Sequence, residues 1–551
     1  LIFSMGICFL KTHCSYLFFR TNNIFTPMKN LTRCSLLAVI MLLAACGRVE
    51  QDDAMLFQPD LSLKTPIKTL DQQDPISKQQ INRLVLEKLQ SENEFKWDMV
   101  DADVVWSAIV RSDSVVSIGY QPQDFQNLNE KIHQVDVESY EWATTRQAII
   151  DFILAEENKL NPAQQLTEED ILAFGKKPLP YINVKLSTYE TIAKLRNMRV
   201  VRYVEPMGYG TEDETNRSSG SGCGGSPSSN LPSSYYTTVS PSAKVSWHLY
   251  SHNVPAAWAQ STGDNIKVGV IDTGLSPNQD NLNSNFNSGA SSNRTRQKTG
   301  FFVTGWWWWA SIDGPDDDCG HGTSMAGLIA APRSNDGSTV GAAYNSDLYS
   351  VRATDDVVIN ESREKDGVSD AYYFLGNRGD IKIISMSLGD VFYSSQVADA
   401  VRYANNRGKL IFCAAGTSTS FTSWYGVIFP ATMSETVAVT GVKTGSPRQR
   451  CSICHDGSQV DFVIEMEDRS NSSRRAITLA MSGSAPQVTD GSSCATATMA
   501  GIAALVWAKN PSQSKSTVLN RLKQASDYYP NRNGSFGWGK IDALAAVTAA
   551  N

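Results

Sequence analysis

Apolar positions in the second half of the chain fall in short unbroken runs instead of alternating with polar ones. Lys267–Ile271 reads as a strand buried on both faces, with Asp272 at its carboxyl end, and the apolar runs within Ile384–Asp390 and Ile411–Gly416 read the same way. Such strands belong to a parallel sheet covered on both sides, and the carboxyl ends of its strands are where open α/β sheets place their chemistry. Between them lie two stretches rich in small and apolar residues, one following His321 (Met325, Ala326, Gly327, Leu328, Ile329) and one following Ser493 (Ala495, Ala497, Ala500, Ala503, Ala504). Both read as tightly packed helices that open at the polar residue. The first half has a different rhythm. The spacing of Ile81, Leu84, Val85 and Leu89 predicts a helix, SVVSIGY ending at Tyr120 a strand, Ala143–Glu157 a helix, and Tyr181–Pro206 a strand, helix and strand. The pattern therefore predicts a small α+β unit followed by a larger α/β domain.

Between these two units, residues 210–239 break the pattern. The stretch GTEDETNRSSGSGCGGSPSSNLPSS is rich in Gly and Ser and poor in apolar residues, so it is expected to be an exposed, flexible linker. At the amino end, MKNLTRC from Met28, an apolar stretch Ser35–Leu43 and LAAC ending at Cys46 form a basic start, a short apolar core and a small-residue cleavage site. The apolar core is too short to span a bilayer. The pattern resembles a bacterial lipoprotein signal, which implies lipidation of Cys46; an ordinary secretory signal with an incidental cysteine is the alternative. Gly47 would suit outer-membrane sorting in a Gram-negative cell. Residues 1–27 precede a better start and are expected to be a non-native upstream extension. The predicted layout is then signal 28–46, α+β unit 47–209, linker 210–239 and α/β domain 240–551. Over 551 residues the net charge is −7, which gives neither nucleic acid nor an anionic membrane surface an obvious electrostatic hold.

Three motifs carry candidate chemistry: VGVIDTG ending at Gly274, DCGHGTSMAG around His321, and GSSCATATMAG around Ser493. They supply an acid, a base and a nucleophile. A serine hydroxyl needs an imidazole to take its proton, and the imidazole needs a carboxylate to fix its tautomer. Each motif also has a plain structural reading. Asp272 could end a strand in a turn, His321 could be a packed helix start, and Ser492 or Ser493 could be an N-cap. An aspartic-protease reading of Asp-Thr-Gly needs a second such loop or a homodimer, and no second DTG or DSG is present.

Taken together, the motifs resemble those of the subtilisin family (subtilase, peptidase S8) of serine endopeptidases, whose chain order is Asp, His, Ser. The resemblance runs over roughly residues 240–548 and includes SWHLYSHNVPAAW, ISMSLGD, IFCAAG, the FPA at Phe429 and a closing GWGKIDALAAV. It implies a doubly wound, mainly parallel sheet, with Asp272, His321 and Ser493 as catalytic residues. Ser387, Leu388 and Gly389 are expected to form one wall of a substrate cleft by pairing with an extended peptide, with Ala414, Ala415 and Gly416 opposite. The family usually carries an asparagine after the AAG, which donates to the oxyanion, whereas this chain has Thr417. Loss of that donor costs about 10²–10³ in turnover, so the Thr417 hydroxyl is expected to replace it beside the Ser493 N–H. Residues 47–209 resemble an inhibitor-like propeptide, implying self-cleavage between Gly208 and Tyr235. The implied partners are protein or peptide substrates and the chain's own propeptide, with a lipid anchor to a bacterial membrane. The enzyme is expected to be monomeric and exported, at the outer membrane, periplasm or cell surface, with release of the mature protease. A catalytically impaired peptide-binding lipoprotein on the same fold is the alternative, and a structural surface lipoprotein a third.

Other features allow more than one reading. Cys223, Cys319, Cys413, Cys451, Cys454 and Cys494 could form disulfides in an oxidising compartment, and six cysteines allow about 15 full pairings. Cys451 and Cys454 with His455 make only half a structural zinc site, which favours a disulfide. Trp306–Trp309 would point alternately to opposite faces of a strand, as core or as a contact surface. Asp313, Asp316, Asp317 and Asp318 offer oxygens to a structural calcium ion, although a solvated acidic loop is the commoner arrangement. No metal ligand is assigned, and no cofactor is expected to be required for catalysis.

Overall fold

A strand survives burial on both faces only if both rows of its side chains are apolar, and that condition sets the architecture here. The structure is a computed structural model that describes residues 57–67, 74–160, 162, 165–211, 222–228, 230–305, 311–418 and 426–549. The upstream extension, the signal with Cys46, and Trp306–Trp309 lie outside the described residues.

The amino-terminal part is built from α1 (Lys78–Glu92), α2 (Ala102–Val110), β1 (Val115–Tyr120), α3 (Tyr140–Leu160), β2 (Tyr181–Lys185), α4 (Tyr189–Asn197) and β3 (Val201–Pro206). Helix α1 starts at Ser77, whose hydroxyl accepts from the Gln80 N–H while the Gln80 side chain accepts from the Ser77 N–H, closing a capping box. Its Ile81, Val85 and Leu89 are buried, four residues apart. The three strands form an antiparallel sheet in the order β2-β1-β3.

The larger part contains β4 (Lys267–Asp272), β5 (Arg296–Gly300), α5 (His321–Ala330), β6 (Asp347–Arg352), α6 (Ser362–Asn377), β7 (Ile381–Met386), α7 (Ser395–Asn406), β8 (Leu410–Ala414), β9 (Val437–Lys443), β10 (Phe462–Glu467), β11 (Ala476–Leu479), β12 (Pro486–Thr489) and α8 (Gly491–Ala508). Seven strands make one sheet in the order β10-β9-β8-β7-β4-β6-β5. All its neighbours are parallel. Ile271, Val351, Ile384, Cys413 and Val463 face one core, while Val268, Val270, Leu348, Phe412 and Ile464 face the other. Helices α6 and α7 lie on the first side, α5 and α8 on the second, which is a doubly wound fold. From β4 the chain adds β5 and β6 on one side and then β7 to β10 on the other, so the winding reverses between β4 and β7. Among the described residues, α8 is the one helix long and apolar enough to cross a membrane, but it is buried along nearly its whole length as a core helix.

The amino-terminal sheet packs on α6 and α7 through polar contacts set in an apolar surround. Lys177 lies 2.8 Å from Asp366 and 3.0 Å from Asp370, Arg202 grips both oxygens of Asp399 at 2.7 and 2.8 Å, and Asn183 donates to Asp366 at 3.0 Å. Trp97 stacks on Phe392 at 5.6 Å, with Phe95 and Tyr209 edge-on. Glu205 accepts from the N–H and hydroxyl of Ser395 at the start of α7, where the helix dipole favours negative charge.

Burial nevertheless pushes the Glu205 carboxyl up to about 7 from its ordinary 4.5, against the pull of Ser395 and of the Lys365 charge and with the aid of Asp98. The folded chain thus holds this proton more tightly than the unfolded chain does. Stability contributed by this group is complete below pH 4.5 and is lost as pH rises to about 7, by at most roughly 3 kcal/mol. In Glu205→Gln, the dependence of melting temperature on pH across that window is expected to flatten.

Candidate active site

The winding reverses at the carboxyl ends of β4 and β7, the place where open α/β sheets bind ligands, and the candidate residues gather there. Asp272 is the last residue of β4, and Ser387 directly follows β7. His321 is the first residue of α5, whose opening turn can approach the acid loop because residue 322 is glycine. A Cβ there would sit 2.4 Å from the Gly274 carbonyl oxygen and 3.2 Å from the Asp272 Cβ. The His321 Nδ1 lies 2.7 Å from the Asp272 Oδ1, with both side chains buried. This contact assigns the ring proton to Nδ1 and leaves Nε2 as the basic nitrogen. Burial opposes the imidazolium, but the Asp272 charge and hydrogen bond, helped by Asp317 and Asp356, outweigh it and raise the His321 pKa above its ordinary value.

Asp317 links the two motifs. Its Oδ1 accepts from the Thr273 hydroxyl at 2.8 Å, the Cys319 N–H at 3.0 Å and the Gly320 N–H at 2.7 Å. Its Oδ2 accepts from the Thr323 N–H at 2.8 Å and hydroxyl at 2.6 Å. Thr273 in turn accepts from the Gly322 N–H, and Thr323 from the Ser276 N–H, each at 2.9 Å. The acid loop and the base helix are therefore joined through one buried carboxylate. This corrects the solvated-loop expectation for Asp317, which is 1% exposed. The cluster does not fit calcium either. Asp317 spends both oxygens on donors, Asp313 and Asp318 pair with Arg352, and Asp316 pairs with Lys298. Among the described residues no group of three or more metal-binding side chains converges.

Ser493 lies in the first turn of α8. Its hydroxyl donates to the Ser387 carbonyl at 3.1 Å, the Ser387 hydroxyl donates back to the Ser493 carbonyl at 3.0 Å, and among the described residues no hydrogen bond joins Ser493 to His321. His321 and Asp272 are thus joined, while the Ser493 hydroxyl is paired with Ser387. Leu388 is buried, and the expected free edge at Gly389 is already paired. Its N–H donates to the Val357 carbonyl at 3.2 Å and its carbonyl accepts from the Ile359 N–H at 3.3 Å. Ala414 ends β8, and the Ala415 N–H and C=O are engaged by Val439 and Ile428. Gly416 has φ +124°, and a Cβ on it would lie 2.5 Å from the His455 Nδ1, so only glycine carries the chain past this ring. Half-buried Thr417 places its Oγ1 3.0 Å from the Ser492 Oγ.

Sequence reasoning missed a strap beside the histidine. A disulfide joins Cys223 to Cys319, two residues before His321, and brings Gly222 against the imidazole, where a Cβ would lie 3.4 Å from its Cδ2. The strap continues with Gly224 N–H donating to the Cys319 carbonyl and Ser228 N–H to the Pro486 carbonyl. The carboxyl end of the supposed linker is also ordered. Tyr235 is buried, and Tyr236–Val239 pair antiparallel with Ala243–Ser246. The low apolar content of residues 210–239 concealed one covalent anchor and one aromatic anchor. The position of a cysteine so near His321 was the available signal. Among the described residues Cys451 and Cys454 form a second disulfide, His455 bonds the Gly426 carbonyl, and Cys413 and Cys494 are free thiols and buried.

Compared with known proteins, residues 263–539 match the family model described as the subtilase family, peptidase S8. The chain is 31% identical over 304 residues to M-protease of Shouchella clausii (strain KSM-K16), covering 55% of this chain and 70% of the relative. It is 30% identical over 304 residues to subtilisin Savinase of Lederbergia lenta, covering 55% and 98%. Among solved structures, fervidolysin from Fervidobacterium pennivorans, a keratinolytic enzyme related to subtilisin, superimposes with TM-score 0.54 at 16% identity over 79% of this chain and 61% of that one, a likeness of fold.

The Asp317 junction predicts two effects of Asp317→Asn. Removal of the negative charge lowers the His321 pKa, read by NMR titration of the imidazole. Loss of charge-assisted acceptors lowers stability by about 2–3 kcal/mol in denaturant unfolding.

Proposed function

Because the chain belongs to the subtilase family and is a serine-type endopeptidase, we propose that Asp272, His321 and Ser493 are its catalytic triad. The buried 2.7 Å contact between His321 and Asp272 at the winding reversal carries this reading. In the reaction, Ser493 exchanges its bond to the Ser387 carbonyl for one to His321 Nε2. Its oxygen attacks the peptide carbonyl as Nε2 takes the hydroxyl proton. Asp272 holds the ring and stabilises the imidazolium. The tetrahedral oxyanion accepts from the Ser493 N–H and the Thr417 hydroxyl. His321 then returns the proton to the leaving amine, and water, deprotonated by the same nitrogen, attacks the acyl-enzyme ester to release the acid and Ser493.

Substrates are proteins. An extended peptide would pair along Ser387–Gly389 by displacing Val357 and Ile359 from Gly389, with Ala414–Gly416 opposite. The amino-terminal unit is read as the chain's own propeptide, cut from the protease by self-cleavage. Two anchors support this: Gly210 lies against Asn360 and Thr211 is held by Asn82 on one side of residues 212–221, while Gly222 lies against His321 on the other. A cut in that interval leaves Cys223 with the protease. With Cys46 lipidated after export, the membrane would keep the propeptide and release the enzyme from the outer membrane.

The alternative, an impaired peptide-binding relative, draws on Thr417 in place of asparagine and on the resting contact of Ser493 with Ser387. A fluorophosphonate probe separates the two. Labelling of folded, processed protein that vanishes in Ser493→Ala supports the enzyme; absent labelling supports the binder. Amino-terminal sequencing of the soluble form is expected to begin between Gly208 and Tyr235, and a start at Cys46 contradicts release. Because His321 must be neutral to act and its pKa is raised, kcat/KM is expected to rise with pH and reach half its maximum above pH 6.5.

A further inference from the structure

The Ser492 hydroxyl, one residue before the proposed nucleophile, is completely buried, so its proton has no water to go to and needs a protein acceptor. Two groups lie within hydrogen-bonding distance. The Gly416 N–H is a donor, 3.2 Å away, and occupies a lone pair of the Ser492 Oγ. The Thr417 Oγ1, 3.0 Å away, is the one acceptor recorded for that proton among the described residues. If Thr417 donated instead, Ser492 would accept twice and its own proton would have no partner among the described residues, at the cost of an unmade buried hydrogen bond. The proton count therefore orients the pair: Ser492 donates to Thr417, and the Thr417 proton is left for another acceptor. Thr417 is only half-buried, so that acceptor can come from the cleft. The residue before Ser492 also makes room for the arrangement. Gly491 has φ +92°, and a Cβ on it would stand 3.3 Å from the Thr417 Oγ1.

We propose that Ser492 is a positioning residue for oxyanion stabilisation, holding the Thr417 hydroxyl with its proton turned outward so that a short threonine does the work of a longer amide side chain. The inference rests on the reading of Thr417 as the oxyanion donor. A free threonine hydroxyl rotates and spends its proton on whichever acceptor is nearest. One that already accepts from Ser492 is restricted to the remaining directions, and preorganised donors stabilise a transition state without reorganising during the reaction. The same Ser492 oxygen also fixes the Gly416 N–H, so the segment that follows β8 and bears Thr417 and the helix bearing Ser493 are registered to each other at this hydroxyl.

The test is a double-mutant cycle in the processed enzyme, with kcat and KM measured on a peptide substrate and active sites counted with a fluorophosphonate. Thr417→Val, which keeps the shape and removes the hydroxyl, is expected to lower kcat by about 100-fold. Ser492→Ala is expected to lower kcat by about tenfold with KM unchanged, and Ser492→Thr, which restores the hydroxyl, to return it to within about threefold of wild type. In the Thr417→Val background, Ser492→Ala is expected to cost nothing further. If it costs its full factor there, Ser492 acts only through packing and the proposal is overturned, while Thr417 stands as donor. If Thr417→Val leaves kcat unchanged, the donor reading itself falls and the proposal with it. Should Ser492→Ala fail to fold, Ser492→Cys, whose thiol is a weak donor, is read in its place with the same outcomes.

Discussion

A carboxylate sealed from water stays charged only while enough donors surround it, and the one at Asp317 has five, drawn from Thr273, Cys319, Gly320 and Thr323. That requirement ties the turn after β4 to the first turn of α5, and it places His321 against Asp272. The His321–Asp272 pair is not held by its own 2.7 Å contact alone; its two partners sit on segments already joined by this junction. Gly322 belongs to the same constraint, since any side chain there would push the helix away from the acid loop. The negative charge at Asp317 also favours the imidazolium, so one buried group both fixes the placement of His321 and influences its affinity for a proton.

Around this junction the neighbouring polar groups are paired within the chain. Ser493 rests on the Ser387 carbonyl, and Gly389 pairs with Val357 and Ile359. Exchange of one such bond for another is nearly neutral in free energy, whereas leaving a buried group unpaired is not. These segments thus satisfy their polar groups within the chain. The strap from Gly222 to Ser228 adds a covalent element to the same wall, because the Cys223–Cys319 bond fixes it two residues from His321.

The amino-terminal sheet meets α6 and α7 through a different balance of forces. Its Trp97, Phe95 and Tyr209 surround Phe392 with apolar area, and Lys177, Arg202 and Glu205 supply partners to Asp366, Asp399 and Ser395. Buried pairs of this kind add little net stability compared with apolar packing but penalise any other docking, since each misplaced charge would remain unpaired.

The sequence by itself determined part of the strands and helices, among them those that carry Asp272, His321 and Ser493, and it singled out these three residues as the acid, base and nucleophile candidates. Two-faced apolar runs, helical spacing and glycine-flanked motifs are local properties, readable within a few residues. Lys267–Asp272, His321–Ala330 and Val115–Tyr120 formed where the pattern placed them. Tertiary structure decided what each polar group touches. Nothing near Asp317 in the chain announces Thr273 as its partner, nothing near Gly389 announces Val357, and Ser492 finds Thr417 across 75 residues. The same holds for Cys223 and Cys319, 96 residues apart. Secondary structure follows from short-range sterics and burial, whereas a hydrogen-bond network is a condition on groups that only the folded chain brings within 3 Å, and a one-dimensional pattern carries no information about that distance.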